Sequence, residues 1–248
     1  MIVPPRFSQA ELLIVTVARL LEGVEHVAVG ASSPIPGSAA FLAQAWAGGE
    51  TRVTVLGSRR NNDFTDGGRE LFDCAAQGRI GAFFLGGGQI DGRGNVNLVG
   101  LGHYPNLDVR FPGSFGSAYL YFLVPRVILF REEHSPRVLV PQVDFISAPG
   151  TSAPGVHRPG GPHALVTGRA LFSFDKTRTR FRLESVHPGE TPASIRATTG
   201  FDYDDPATPA TTIPPDEKTL ALIRGPVRAA IAEVYPRFAA RLVPPEAA

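Results

Sequence analysis

The residues most suited to chemistry lie in one run, Gly86-Gly87-Gly88-Gln89-Ile90-Asp91-Gly92-Arg93-Gly94-Asn95-Val96-Asn97. It packs five glycines and two asparagines into twelve residues, directly after the apolar segment Ile80 to Leu85. Glycine tolerates positive φ and lets another group approach the backbone closely, so such a loop can aim amide N–H groups at a ligand. At the carboxyl end of a strand in an open parallel sheet, those amides could stabilise a carbonyl oxygen as charge develops on it. Taken alone, the triple glycine reads equally as a tight turn after a strand. The run is not a P-loop, which needs Gly-x4-Gly-Lys-Ser/Thr, and it lacks the G-x-G-x-x-G order that opens a dinucleotide-binding helix. A second block, Arg110-Phe111-Pro112-Gly113-Ser114-Phe115-Gly116-Ser117-Ala118, brushes against a nucleophile elbow. Pro112 stands where the first glycine of G-x-S-x-G belongs, so a backbone turn lining the ligand site is the better reading of Ser114.

Other reactive side chains are sparse. The six histidines, His26, His103, His134, His157, His163 and His187, show neither H-x3-H nor H-E-x2-H spacing, which argues against a metal site. His157 and His163 fall in a Pro/Gly-rich loop and read as solvated, with a binding or proton-transfer role as the alternative. Asp202, Asp204 and Asp205 lack the glycine and glutamate positions of a calcium loop. The single cysteine, Cys74, rules out an internal disulfide and fits a buried small residue in a reducing cytoplasm. Lysine occurs only at Lys176 and Lys218, so Schiff-base chemistry is poorly supplied. With 24 basic against 23 acidic residues there is no basic footprint for nucleic acid. Met1 to Pro5 does not read as a leader, and the apolar run Ala118 to Phe130, broken by Pro125 and Arg126, is too short for a membrane span.

The elements that must position these residues follow from periodicity. Ser8 opens a helix with Leu12, Leu13, Val15, Val17, Leu20 and Leu21 on one broad face, ended by Gly23. His26 to Gly30 reads as a strand, Pro36 or Gly37 starts a second helix to Gly48-Gly49, and Arg52 to Leu56 is a strand. Gly68 to Gln77 is a third helix, and Ile80 to Leu85 is a strand too apolar to have a solvated face. This alternation predicts an α/β fold: an open, mostly parallel sheet with helices on both faces, in a single domain of 248 residues. The second half reads as strand-rich, with Ala118 to Phe130 and Arg137 to Ile146 extended, then a loop from Ser147 to Pro162. A hairpin over Ala164 to Ser185 and a helix opening at Thr191-Pro192 follow. A terminal helix runs from Asp216 to about Leu242, broken at Gly225-Pro226.

The order of residues in both glycine blocks resembles the β subunit of family I coenzyme A transferases, in particular the glutaconate CoA-transferase type. That subunit carries Gly-Gly-Ala-Gln-Ile/Val-Asp…Gly-Asn-Val-Asn leading to Arg-Phe-x-Gly-Ser-x-Gly-x-Ala. Asp144 to Gly150, Leu165 to Asp175 and His187 to Asp202 continue the likeness over nearly the whole chain. The resemblance implies a homologous α subunit in a heterodimer or higher heteromer, with the active site between the two. It also implies a coenzyme A thioester as substrate, with no permanently bound cofactor. Gly87, Gly88 and Gln89 would then form the catalytic, carbonyl-facing wall, and Gly86, Asn95, Asn97, Gly113 and Ser114 would contact substrate. The transferases use a β-subunit glutamate as nucleophile, and Leu56 stands at its place in Val53-Thr54-Val55-Leu56-Gly57-Ser58. Asp63, Asp66 and Glu70 are the carboxylates near enough in sequence to replace it. A related branch, the β-like subunit of the steroid ring-opening CoA-ester hydrolase, also lacks that glutamate and takes it from its α subunit. Arg59 and Arg60 would on that reading bind a substrate carboxylate, or else form a solvated basic turn. CoA transfer between carboxylic acids, hydrolytic C–C cleavage, and a non-catalytic structural subunit are thus the three functional readings.

Overall fold

The computed structural model describes residues 6–243; the segment Met1 to Pro5, read above as no leader, lies outside them. The chain divides into two compact units, one built from the residues up to Asp63 together with those from Ile213, the other Phe64–Thr212.

In the first unit, α1 (Gln9–Arg19) starts at a capping box: Glu11 N–H donates to Ser8 Oγ, and Ser8 N–H donates to Glu11 Oε2 at 2.7 Å. Leu12 to Ala18 are buried, as the apolar face requires, and each large aliphatic contributes about 1.5–3 kcal/mol. Next come β1 (His26–Val29), α2 (Pro34–Trp46) and β2 (Arg52–Val55). β1 and β2 are parallel, in register from His26↔Arg52 to Val29↔Val55. α2 begins two residues before Pro36 because Pro34 and Pro36 both fit a first helical turn, where no N–H is needed.

The second unit opens with α3 (Gly67–Ala76), which carries buried Cys74, and β3 (Ala82–Leu85), whose four residues are all buried. The hairpin β4 (Gln89–Ile90) and β5 (Val96–Asn97) precedes an antiparallel ribbon, β6 (Gly100–His103) and β7 (Asn106–Arg110). Then come α4 (Ser117–Leu123), β8 (Arg126–Arg131), β9 (Pro162–Thr167), β10 (Ala170–Asp175), β11 (Arg180–Val186), α5 (Pro192–Thr198) and β12 (Ala210–Thr211). The sheet strands stand in the order β12-β11-β10-β9-β8-β3, with β3, β8 and β9 parallel and β9, β10 and β11 antiparallel. The protein is thus α/β, with a mostly parallel sheet flanked by helices.

Several expectations for the second half change. Residues 117–123 are helical, not extended: Leu120, Tyr121 and Val124 recur at helical spacing and are buried, although their types favour strands. Arg137 to Ile146 forms no strand, only a bridge from Leu139 to Ile90. Segment 147–161 is irregular as expected, but His163 belongs to β9 and not to that loop, and the hairpin is a three-stranded meander. The final helix does not break at Gly225-Pro226. Helix Glu217–Leu222 passes through a π-helical turn, Ile223–Val227, into Arg228–Ala232, and the wider turn accommodates the missing N–H of Pro226.

No helix among the described residues is long and apolar enough to cross a membrane. None of their His, Cys, Asp and Glu side chains group in threes or more in a way that could hold a metal ion.

Candidate functional site

The glycine run leaves the carboxyl end of β3. Its first three glycines are required by packing and not by backbone sign, since none of them has positive φ; within the run that role falls to Gly94, at +74°. A Cβ on Gly87 would lie 2.4 Å from Val96 Cγ1, and one on Gly88 would lie 2.2 Å from the Phe111 ring. The Gly88 N–H already donates to Asn97 O at 2.9 Å, so this amide does not await a ligand.

The asparagines brace the loop. Asn97, wholly buried, donates through Nδ2 to Gln89 Oε1 at 2.8 Å and to Gly100 O at 2.7 Å. Its Oδ1 accepts from the Val99 and Gly100 N–H groups. Asp91 accepts from the Arg93 and Asn95 N–H groups and from Asn95 Nδ2, while Asn95 Oδ1 accepts from Gly150 N–H at 3.1 Å. Asn95 and Asn97, expected to touch substrate, therefore direct their polar atoms into the protein.

Gln89 differs. Its Oε1 accepts two hydrogen bonds, from Asn97 Nδ2 and from Asp144 N–H at 2.9 Å. Two donors on one atom fix which end of the amide is oxygen. Nε2 is left with two N–H donors and no hydrogen-bond partner among the described residues, and it is not among the sealed polar atoms that lack one. A cleft of 420 Å³ lined by Gly102, His103, Gln142, Val143 and Asp144 adjoins this anchor.

The segment Asp144 to Gly150 is the clamp. Ser147 Oγ donates to Val96 O and accepts from Leu98 N–H, Ala148 pairs with Val96, and a Cβ on Gly150 would meet Arg93 O at 2.2 Å. Tyr121 adds its hydroxyl to Gly94 O at 2.8 Å. Sequence reasoning gave none of these residues a role; only the likeness of 144–150 to the family pointed at them. The second block is tied to the first through Phe111 N–H to Val99 O and Gly113 N–H to Leu98 O. Gly113 is exposed at φ +103°, and Ser114 Oγ has no hydrogen-bond partner among the described residues, so no base activates it.

Leu56, Arg59 and Arg60 lie in the first unit. Leu56 is half-buried just after β2, and its N–H donates to Val29 O. Arg59 and Arg60 are exposed and follow a tight turn: Ser58 Oγ accepts from the Arg60 and Asn61 N–H groups and donates to Glu233 Oε2 at 2.6 Å. Arg59 N–H donates to Glu233 Oε1, and these two bonds hold the Glu233 carboxyl below its ordinary range. Glu233 is a carboxylate the sequence reading missed, since 175 residues separate it from Ser58. Asp63 is paired with Arg52 and Asp66 with Arg69, and Glu70 accepts from the Thr65 and Asp66 N–H groups.

The family pattern described as coenzyme A transferase matches residues 16–197. The chain belongs to the coenzyme A transferase family. It is 33% identical to the B subunit of glutaconate CoA-transferase from Acidaminococcus fermentans, over 49% of this chain and 47% of that protein. The match therefore spans about half the length of that relative. Against the B subunit of 3-oxoadipate CoA-transferase from Pseudomonas knackmussii, identity is 30% over 74% of this chain and 70% of the relative. With the cholesterol ring-cleaving hydrolase IpdB subunit of Rhodococcus jostii it is 29%, over 63% of this chain and 62% of that one. The solved glutaconate CoA-transferase of A. fermentans shares the fold at TM-score 0.79, with 23% identity over 94% of this chain and 99% of that one. The R. jostii IpdAB structure does so at 0.78, with 24% identity over 89% and 94%.

Proposed function

We propose that this chain is the β-like subunit of a heteromeric enzyme of the family, acting on an acyl-CoA thioester in the cytoplasm with a homologous α subunit. The observation that carries the reading is the Gln89 amide, anchored at its oxygen and free at its nitrogen. Attack on a thioester carbonyl puts negative charge on its oxygen, and so does cleavage of a C–C bond that leaves a thioester enolate. A preorganised N–H donor stabilises either charge without reorganising. Gly86, Gly87 and Gly88 form the wall behind it, where the missing side chains let Val96 and Phe111 close in and fix its shape. Gly113 and Ser114 contact the substrate, Asn97 acts by holding Gln89 in place, and Asn95 braces the loop between Asp91 and Gly150.

A second reading concerns the reaction. A leucine at position 56 offers no lone pair, so this chain does not form a glutamyl thioester there. That absence, and the similarity to the IpdB subunit, favours hydrolysis or hydrolytic C–C cleavage over CoA transfer. A carboxylate on the α subunit takes a proton from water as the water oxygen bonds to the thioester carbonyl carbon in hydrolysis or to the β-keto carbonyl carbon in C–C cleavage. The bond to sulfur or carbon then breaks, and the carboxylic acid returns the proton to the departing thiolate or enolate.

The test is the reconstituted pair incubated with acyl-CoA. Gln89→Leu should lower kcat roughly 10²–10³-fold with the fold intact. An unchanged kcat removes Gln89 from the mechanism. Borohydride trapping of a reduced thioester on this chain would instead favour transfer, and failure of the pair to bind or turn over any CoA ester would leave only a structural role.

A further inference from the structure

At the other end of the sheet, four basic side chains gather around Gly160 to His163. Arg126 opens β8 at the register position before Val127↔Pro162, and His163 lies on β9. Lys176, in the turn after β10, donates through Nζ to Gly160 O at 3.2 Å. Arg158 donates to Pro149 O at 2.8 Å and Tyr121 O at 3.1 Å, with its guanidinium over the Tyr121 and Phe122 rings. A Cβ on Gly161 would lie 3.6 Å from Arg158 Nε, so the guanidinium and the ammonium flank one glycine pair. Among the described residues, Arg158, His163 and Lys176 make no ion pair with any carboxylate. Elsewhere in the same unit arginines do pair: Arg169 with Glu190, Arg178 and Arg180 with Asp204, and Arg196 with Asp205.

Like charges brought together and partly dried are costly unless an anion joins them. Burial and mutual repulsion both disfavour the charged forms here. Lys176 is lowered by burial and then by Arg158, and His163 by burial and then by Arg126 and Lys176. We propose that Arg158, His163 and Lys176, with Arg126 beside them, form a binding site for a phosphate ester at the end of β8 opposite Gly86. A fixed guanidinium, an ammonium and an imidazole around one glycine pair form a donor set suited to a phosphoryl dianion. β3 and β8 are parallel with Ala82 opposite Arg126 and Leu85 opposite Leu129. Gly86 and Arg126 therefore lie at opposite ends of the strands, about 13 Å apart at the usual rise.

The same chemistry is offered by coenzyme A, through its 3′-phosphate, and by a free phosphate metabolite. The experiment is calorimetric titration of the full chain, assembled with its α subunit, with inorganic pyrophosphate at two salt concentrations. No turnover is needed, so the outcome is independent of the reaction proposed above. Binding should weaken with salt and fall about ten-fold in Lys176→Met and in His163→Gln. It should be unchanged in Lys218→Met, which removes the other lysine. Displacement of pyrophosphate by coenzyme A but not by dephospho-CoA identifies the 3′-phosphate as occupant; displacement by neither identifies a free phosphate ester. Absence of binding, or equal binding by all three variants, overturns the proposal.

Discussion

Acid should loosen this protein through His134, and the size of the effect can be worked from its surroundings. The ring is 7% exposed, with Nδ1 2.8 Å from Thr167 Oγ1 and Nε2 2.9 Å from Thr199 Oγ1. Thr167 Oγ1 accepts from the Arg169 and Ala170 N–H groups, which fills its lone pairs, and its one hydrogen lies within reach of Nδ1 at 2.8 Å and of Ala170 O at 3.2 Å. Thr199 donates to Ile195 O and accepts from Nε2–H. Both partners thus select the neutral imidazole with its proton on Nε2. Burial, and then the nearby Arg169 guanidinium, push the His134 pKa down from 6.5 to about 4. The folded value lies below the unfolded one, so the stability is fully present above about pH 6.5 and is lost as pH falls toward 4. A displacement of that size amounts to roughly 3 kcal/mol, a large part of the 5–15 kcal/mol typical of a domain. His187, also lowered by burial, acts in the same direction, so the comparison must be between wild type and His134→Gln. Urea unfolding at pH 7, 5.5 and 4.5 should show a shallower decline for the variant, by about that amount. Parallel declines, or an NMR titration of His134 above pH 6, would refute the argument. Glu190, held near 2 chiefly by Arg169, fails only at lower pH and does not confuse the window.

Two further outcomes follow from packing and charge. Gly88→Ala should destabilise the second unit by about 1–3 kcal/mol, because its methyl would have to displace the Phe111 ring; a Tm within a degree of wild type would show that the ring moves freely. Arg224→Met strands the wholly buried Glu11 carboxylate, which now accepts from Arg224 Nε at 2.6 Å. The expected cost is about 3–5 kcal/mol by denaturant titration, and Glu11→Gln in the same background should recover part of it.

The first half of the fold was legible because its signals are local. Ser8 and Glu11 announce the start of α1, and the apolar blocks at His26, Arg52 and Ile80 each become a strand within two residues of their expected bounds. The second half was misread where residue type and period disagree: Tyr119, Tyr121 and Phe122 favour strands, yet a short helix buries Leu120 and Tyr121. At the site, sequence pointed to the right stretch but not to the division of labour within it. That Asn97 serves Gln89 and not a ligand depends on a hairpin register and on a segment fifty-five residues away, at Asp144. Glu233 was invisible for the same reason.

The clamp on Gln89 has an evolutionary corollary. The group that grips its oxygen from across the loop is the peptide N–H of residue 144, which every amino acid except proline supplies. Among the described residues, the Asp144 side chain itself reaches only Gly102, on the ribbon. Mutational drift at 144 can therefore retune the ribbon while leaving the Gln89 amide aimed as before, whereas position 89 has no comparable freedom.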